Sequence, residues 1–171
     1  MKGFSIIKKK EDGENAIMNF IKMIPETISD GEGLRAAIYV AGCENKCEGC
    51  FNPESWDYDA GQELTMDILD GFLDDVKANQ LVEGISFLGG DPFAPKNRKE
   101  FYRVLRRCRQ KGIKDIWVWT GYVKEELEKD PIARACFSLI NILVDGPFMK
   151  RLGSTDLKFR GSSNQRIIRL N

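Results

Sequence analysis

Three of the chain's five cysteines lie within the segment GCENKCEGC at positions 42–50. Cys43, Cys47 and Cys50 follow the spacing CxxxCxxC, and the sequence contains no histidine. Thiolates bind zinc and iron–sulfur clusters. Structural zinc usually takes four cysteine or histidine ligands, so a loop with three cysteines fits a structural zinc site poorly. The spacing therefore favours an iron–sulfur cluster.

A cluster of four irons that is held by three thiolates keeps one iron free to bind another group. Residues three and four apart in a short loop can converge on one centre, and the backbone N–H groups between them can point toward the sulfides. Gly42 and Gly49 let the chain turn tightly beside the cysteines. An odd number of cysteines without an export signal also argues against disulfide bonds and for metal or redox chemistry.

Short apolar runs predict the strands that position this loop. Four of them are rich in β-branched or aromatic residues and end in loop signals, at 34–42, 84–92, 115–122 and 139–148. The cysteine loop directly follows the first of these strands. A shorter candidate strand lies at 165–170.

Apolar residues at helical spacing predict helices between the strands. In the segment 64–80, Thr65 is expected to cap the helix N-terminus. In the segment 97–112, Asn97 and Glu100 have the spacing of a capping box, and Gly112 ends the helix. Pro131 predicts a break in the segment 124–137, which we expect to form one or two short helices.

This alternation predicts an α/β fold of βαβ units with a mostly parallel sheet. Four or five such strands favour an open, partial (β/α) barrel over a closed barrel of eight strands. Functional loops are expected at the carboxyl ends of the strands, where AGCENKC, LGGDP, WTGY and VDGPF all fall. We expect residues 18–171 to form a single domain and residues 1–17 to be a flexible N-terminal extension.

The cysteine spacing after a first strand resembles that of the radical S-adenosylmethionine (radical SAM) enzymes. Together with GGDPF, WVWTGY, ILVDGPF and RGSSNQR in this order, the segment GCENKCEGCFNPESW resembles the anaerobic ribonucleoside-triphosphate reductase activating proteins. That family has glycine, as at Gly49, where the wider superfamily has an aromatic residue. The resemblance runs from about Met18 to Arg169 and implies an open barrel of the radical SAM type.

The resemblance implies that Cys43, Cys47 and Cys50 bind a [4Fe-4S] cluster whose fourth iron chelates S-adenosylmethionine. Further cofactor contacts that it implies are Gly89, Gly90, Asp91, Thr120, Tyr122 and Asn45. The glycine pair permits close approach of a ligand to the backbone, and the alternative is a plain strand-to-helix turn. The alternative for Thr120 and Tyr122 is a turn with a packed tyrosine. Many relatives have histidine at the position of Asn45.

The C-terminal motif RGSSNQR is polar, and its composition alone predicts a surface turn. The resemblance implies that its residues contact the cofactor or the partner's glycine loop, namely Arg160, Ser162, Asn164 and Gln165. Asp145 is a candidate contact to the ribose or the substrate backbone, or else a turn residue. Phe51 and Trp56 either cover the cluster or pack in the core. Cys108 and Cys136 lie among apolar residues and are expected in the core.

The implied activity is that of an activating enzyme. It would generate a 5′-deoxyadenosyl radical from S-adenosylmethionine and install a glycyl radical on the large chain of the anaerobic reductase. A flavodoxin-like or other one-electron donor would reduce the cluster. Two alternatives stay open: an activase of another glycyl-radical enzyme, such as formate acetyltransferase, and a non-catalytic iron–sulfur or zinc protein.

Composition limits the other partners. The formal net charge is zero, which gives no reason to expect nucleic acid or a membrane surface. No apolar run approaches the ~20 residues that span a bilayer, and the N-terminus has no signal-peptide pattern, so we expect a cytoplasmic protein.

An acidic segment (54–91) precedes a basic one (96–114). Either these helices attract each other, or the basic helix from Arg98 to Arg109 docks the reductase or an acidic donor.

Overall fold

The computed structural model describes residues 16–171, which form one sheet of seven strands packed against four helices. The strands are β1 (Ala16–Thr27), β2 (Arg35–Val40), β3 (Gln62–Thr65), β4 (Gly84–Gly89), β5 (Ile116–Trp119), β6 (Ile142–Asp145) and β7 (Arg166–Arg169). The helices are α1 (Met66–Ala78), α2 (Arg98–Gln110), α3 (Lys124–Leu127) and α4 (Pro131–Phe137). None of these helices is long and apolar enough to span a membrane.

The sheet has the strand order β3-β1-β2-β4-β5-β6-β7 and is open, with β3 and β7 at its edges. The four central strands β2, β4, β5 and β6 are parallel. The outer strands β1, β3 and β7 pair antiparallel to their neighbours. The predicted α/β class and the prediction of an open sheet are confirmed. The expectation of mostly parallel pairing holds only for these four central strands.

Strand β1 was not predicted from the sequence. It is defined by its pairing, because Phe20 lies opposite Val40 of β2 and Met18 opposite Leu64 of β3. Only its first half is buried, and two register irregularities interrupt its ladder with β2, so its sequence lacks a clean alternation. The predicted extension over 1–17 ends inside this strand, since Ala16 begins it and Ile17 is buried. The rest of that extension lies outside the described residues.

Three of the four predicted helix boundaries are confirmed, and one of these is the end of α2 just before Gly112, which has φ +85°. Thr65 Oγ1 accepts a hydrogen bond from the N–H of Ile68 at 3.2 Å, as an N-cap does. The break at Pro131 separates α3 from α4, and Asp130 caps the second of these helices. The capping box at Asn97 is wrong, because Asn97 has helical backbone angles and its side chain bonds to other loops.

An apolar core fills the space between the sheet and its helices. Cys108 on α2 and Cys136 on α4 are fully buried in this core, as predicted. The opposite face of the sheet carries a smaller aromatic cluster in which Trp117 stacks on Trp119 and meets the edge of Phe159. The helices and this cluster leave the carboxyl ends of the parallel strands accessible.

The acidic and basic segments attract each other across the helix pair α1–α2. Arg107 forms a two-point contact with Asp70, with both N–O distances at 2.6 Å, and Lys111 Nζ lies 2.7 Å from Asp74. The Arg107 guanidinium also lowers the pKa of the Asp70 carboxyl. Part of the basic character of α2 is thus neutralised within the protein.

Candidate metal centre

The carboxyl ends of the parallel strands open into a cleft of about 920 Å³. Its walls include the cysteine loop after β2, Gly89–Asp91 after β4, Thr120 and Gly121 after β5, and Gly146 after β6. The four loops that the sequence placed at this edge therefore do meet there. A cleft of this volume can hold a ligand the size of a nucleoside cofactor.

All three cysteines of the loop, Cys43, Cys47 and Cys50, line this cleft, and each is partly exposed. The loop curls because its backbone enters the left-handed region at Lys46 (φ +44°) and at Gly49 (φ +74°). Residues with a side chain rarely adopt that conformation, so glycine suits position 49. The curl brings all three cysteines to the lining of the cleft.

Nitrogen donors approach two of the sulfurs. The backbone N–H of Asn52 donates to Cys50 Sγ at 3.4 Å, and the side-chain amide of Asn45 donates to Cys43 Sγ at 3.8 Å. Burial raises the pKa of the Cys43 and Cys47 thiols, although backbone N–H groups partly offset this effect. Metal binding requires thiolates, so we expect metal uptake at this loop to release protons.

The donor set of the cleft fits a cluster better than a single ion. Among residues 16–171, no three His, Cys, Asp or Glu side chains are placed to hold one metal ion. An iron–sulfur cluster is larger, and its irons take their thiolates at separate corners. The other two cysteines are buried in the core and cannot serve as a fourth ligand without unfolding it. Three thiols facing one cleft are what a cluster with one iron not bound by cysteine requires.

Asp91 connects three of the loops that form the cleft. Its carboxylate is buried and accepts hydrogen bonds from Phe93 N (2.9 Å), Thr120 Oγ1 (2.9 Å), Gly121 N (2.9 Å) and Asn45 Nδ2 (3.0 Å). Burial raises the pKa of the Asp91 carboxyl, and these hydrogen bonds partly offset the increase. Both oxygens are occupied by protein donors, so Asp91 organises the site rather than presenting a free carboxylate.

The structure separates the two hydroxyl residues that follow β5. Thr120 lines the cleft, but its hydroxyl donates to Asp91 and accepts from the N–H of Tyr122 at 3.2 Å. Tyr122 is not among the lining residues; it packs against the core, with the Arg98 guanidinium 5.9 Å from its ring centroid. Of these two residues, Thr120 lines the cleft, and its hydroxyl holds the loops together through Asp91.

The turn after β4 lies directly against the start of the cysteine loop. Gly89 has φ +97°, and the N–H groups of Gly90 and Asp91 donate to Val40 O (2.7 Å) and Gly42 O (2.8 Å). A Cβ at position 90 would lie 2.7 Å from the carbonyl oxygen of Gly42. Glycine at this position therefore permits the contact between the two loops.

Asn97 is a site residue that sequence reasoning missed. Its amide nitrogen donates to Ala41 O (2.8 Å), Asp91 O (3.0 Å) and Gly42 O (3.4 Å), and the residue is buried. One side chain thus ties the chain entering the cysteine loop to the turn after β4. An asparagine at a predicted helix start carries no sequence signal for this role, since capping explains it equally well.

The C-terminal motif forms a folded turn beside the loop after β6. Gln165 Oε1 accepts from the N–H groups of Gly161 (2.8 Å) and Ser162 (3.1 Å), and Arg160 Nη1 donates to Gln165 O at 2.7 Å. Arg160 and Gln165 line the cleft. Ser162 is buried and accepts from Met149 N, while Asn164 donates to the carbonyl of Pro147; neither lines the cleft.

Of the three remaining candidates, one lines the cleft and two do not. Asp145 is buried against Arg166, 2.5 Å from its guanidinium, and accepts from the N–H of Lys124, away from the cleft lining. Phe51 lines the cleft with 74% of its surface exposed, and its ring centroid lies 5.2 Å from that of Phe148. Trp56 does not line the cleft; its carbonyl accepts from Cys43 N.

A match to a protein-family model shows the class of protein to which this chain belongs. Residues 29–168 match the model described as a 4Fe-4S single cluster domain, and this range contains the three cysteines and every loop of the cleft. The chain is thus a protein of the single-cluster 4Fe-4S class, in agreement with the three-thiol donor set.

Relatives narrow this class to a particular family. The chain is 39% identical over 150 residues to the anaerobic ribonucleoside-triphosphate reductase-activating protein of Escherichia coli, a match that covers 86% of this chain and 96% of that one. Proteins of the same name from Pasteurella multocida and Haemophilus influenzae are 36% and 38% identical, each over 89% of this chain and 98% of its own. The chain belongs to the family of anaerobic ribonucleoside-triphosphate reductase-activating proteins.

Proposed function

We propose that this protein is a radical SAM enzyme that installs a glycyl radical on anaerobic ribonucleoside-triphosphate reductase. The single observation that carries the proposal is that Cys43, Cys47 and Cys50 line one cleft, to which no fourth cysteine contributes. The names of the relatives, each an activating protein of that reductase, supply the partner. The open sheet is then the partial barrel of the radical SAM type.

In this proposal the three cysteines hold a [4Fe-4S] cluster, and S-adenosylmethionine binds beside it. Once bound there, the cluster would supply the one-electron chemistry by which the carbon–sulfur bond of S-adenosylmethionine is cleaved and a hydrogen atom is removed from the partner's glycine. The demanding chemistry belongs to the cofactors, and the protein contributes binding, orientation and exclusion of water.

The turn after β4 is proposed to orient the methionine end of the cofactor. The N–H groups of Gly90 and Asp91 are already bonded to the carbonyl groups of Val40 and Gly42. A cofactor ammonium group needs acceptors, so we assign it to carbonyl oxygens of this turn rather than to its N–H groups. Gly89 and Gly90 carry no side chain that would keep a ligand away from that backbone.

Aromatic side chains are proposed to keep water from the reacting atoms. Phe51, Phe148, Trp119 and Phe159 all line the cleft. The indole N–H of Trp119 donates to the carbonyl of Phe159 at 2.8 Å, which fixes the C-terminal segment over the face of the sheet opposite the helices. A largely apolar wall excludes water, which would otherwise quench a reactive intermediate.

The reductase and an electron donor must both reach this protein. We propose that the glycine-bearing segment of the reductase enters the open side of the cleft, near Arg160 and Gln165.

A flavodoxin-like donor is the proposed source of the electron. Lys99 and Arg106 on α2 are exposed and form no salt bridge with another residue in the range 16–171, so they are the basic groups of that helix left to meet an acidic donor.

The test is activation of the reductase under anaerobic conditions. Reconstituted protein, dithionite and S-adenosylmethionine should yield a glycyl radical on the reductase by electron paramagnetic resonance, together with methionine. Cys47→Ala should abolish both products and the cluster, whereas Cys108→Ala, matched in chemistry but buried in the core, should keep the cluster. A radical formed only on formate acetyltransferase would reassign the partner. A wild-type protein that takes up no cluster or cleaves no cofactor would refute the proposal.

A further inference from the structure

The side chain of Asn45 occupies a position between the cysteine loop and Asp91. Its amide nitrogen lies 3.0 Å from Asp91 Oδ2 and 3.8 Å from Cys43 Sγ. An ionised carboxylate only accepts hydrogen bonds, so the end of the amide that faces Asp91 must be the NH₂ group. That group has two hydrogen atoms, and the second one is donated to Cys43 Sγ.

The orientation of this amide is fixed by its surroundings. Asp91 cannot turn away, because Phe93, Thr120 and Gly121 also donate to its oxygens. The backbone of Gly121 packs against the nitrogen end of the same amide, because an added Cβ there would lie 2.2 Å from Asn45 Nδ2. Gly121 and the fully bonded carboxylate of Asp91 therefore hold the Asn45 side chain in one orientation.

We propose that Asn45 is a positioning residue that couples the Cys43 ligand to the Asp91 network and raises the reduction potential of the cluster. A hydrogen bond to a ligating sulfur stabilises the more negatively charged, reduced cluster, and such bonds are among the groups that set cluster potentials. The same side chain fixes the cysteine loop against the loops after β4 and β5. Asn45 acts through Cys43 and needs no contact with S-adenosylmethionine.

The inference rests on the proposed cluster, but it does not depend on radical chemistry or on the reductase. Its readout is the midpoint potential of the reconstituted protein, which needs neither S-adenosylmethionine nor a partner. Absence of a cluster from the wild-type protein would refute the proposed function. If the wild-type protein holds a cluster and substitution of Asn45 leaves its midpoint potential unchanged, only this inference is refuted.

The experiment compares Asn45→Ala with Asn52→Ala under anaerobic redox titration followed by electron paramagnetic resonance. Asn52 also lies beside a cysteine, but its contact to Cys50 Sγ comes from the backbone N–H, which alanine keeps. A net contribution of one hydrogen bond corresponds to about a threefold to tenfold change in an equilibrium constant. Asn45→Ala should therefore shift the midpoint potential to more negative values by about 28 to 59 mV for one electron. Asn52→Ala should match the wild type.

Hydrogen exchange of the cluster-free proteins covers the case in which Asn45→Ala fails to take up a cluster. Loss of the tie to Asp91 should speed exchange of the amides at residues 43–50 relative to Asn52→Ala, with little change at Phe93, whose N–H stays bonded to Asp91 Oδ1. A fully loaded Asn45→Ala protein with the wild-type potential would overturn the inference. So would an unloaded one with wild-type exchange in the loop.

Discussion

Substitution of Gly90 by alanine should push the turn after β4 away from the cysteine loop. The new Cβ would lie 2.7 Å from the carbonyl oxygen of Gly42 and 2.9 Å from that of Val40. Both neighbours are backbone atoms, which cannot rotate aside as the end of a flexible side chain can. One of the two backbone segments must therefore move, and the 2.7 Å hydrogen bond from Gly90 N to Val40 O weakens with it.

The size of this effect follows from the cost of overpacking. Extra atoms in a well-packed region destabilise a protein by about 1–3 kcal/mol. For a domain of this length, each kcal/mol lowers the melting temperature by about 2–4 °C, so the melting temperature should fall by roughly 2–12 °C. Cluster uptake should fall as well, because the displaced segment at Gly42 directly precedes Cys43.

Thermal unfolding of the cluster-free protein, followed by circular dichroism, measures the first effect, and iron content after reconstitution measures the second. Gly71→Ala is the matched control, because a Cβ at position 71 of α1 meets no atom within 4 Å. Alanine is favoured over glycine inside a helix by about 0.5–1 kcal/mol, so this variant should melt slightly higher. A Gly90→Ala protein that melts with the wild type and binds a full complement of iron would refute the reasoning.

Two further predictions concern the residues around the site. Asn97→Asp replaces the amide donor with an acceptor that faces the carbonyl groups of Ala41 and Asp91, so urea unfolding at neutral pH should show a loss of about 1–3 kcal/mol; unchanged stability would contradict this role. Hydrogen bonds from Arg166 lower the pKa of Glu125 from 4.5 to about 2, so its stabilising effect is complete above pH 4.5 and disappears as the pH falls toward 2. Urea unfolding of the wild type and Glu125→Gln should therefore converge between these pH values, and a difference that grows on acidification would contradict the assignment.

Local sequence patterns were sufficient for the parts of the fold that neighbouring residues determine. The buried central strands are continuous apolar runs, and parallel strands bring their carboxyl ends to one edge. The cysteine loop and the turn at Gly89 were therefore expected at the same place, and the cleft confirms it. The N-cap at Thr65 and the break at Pro131 also depend only on residues a few positions away.

Residues whose partners are distant in sequence were the ones that local patterns misjudged. Asn97 was assigned to a helix cap, yet it bonds to a carbonyl 56 positions earlier. The local sequence left open whether Tyr122 contacts the cofactor or packs in a turn, and the structure packs it against the core. Strand β1 was missed because its ladders to β2 and β3, rather than its own alternation, define it.

The sequence by itself determined the candidate ligand set and the edge of the sheet where it lies, because spacing within one loop and apolar runs within one strand are properties of adjacent residues. Only the tertiary structure decided which polar side chains face the cleft and which hold its loops together. Asp91 illustrates the reason, since its carboxylate takes hydrogen bonds from Asn45, 46 positions before it, and Thr120, 29 positions after it. A buried polar group is stabilised by whichever donors the fold brings to it, and those donors cannot be found by reading along the chain.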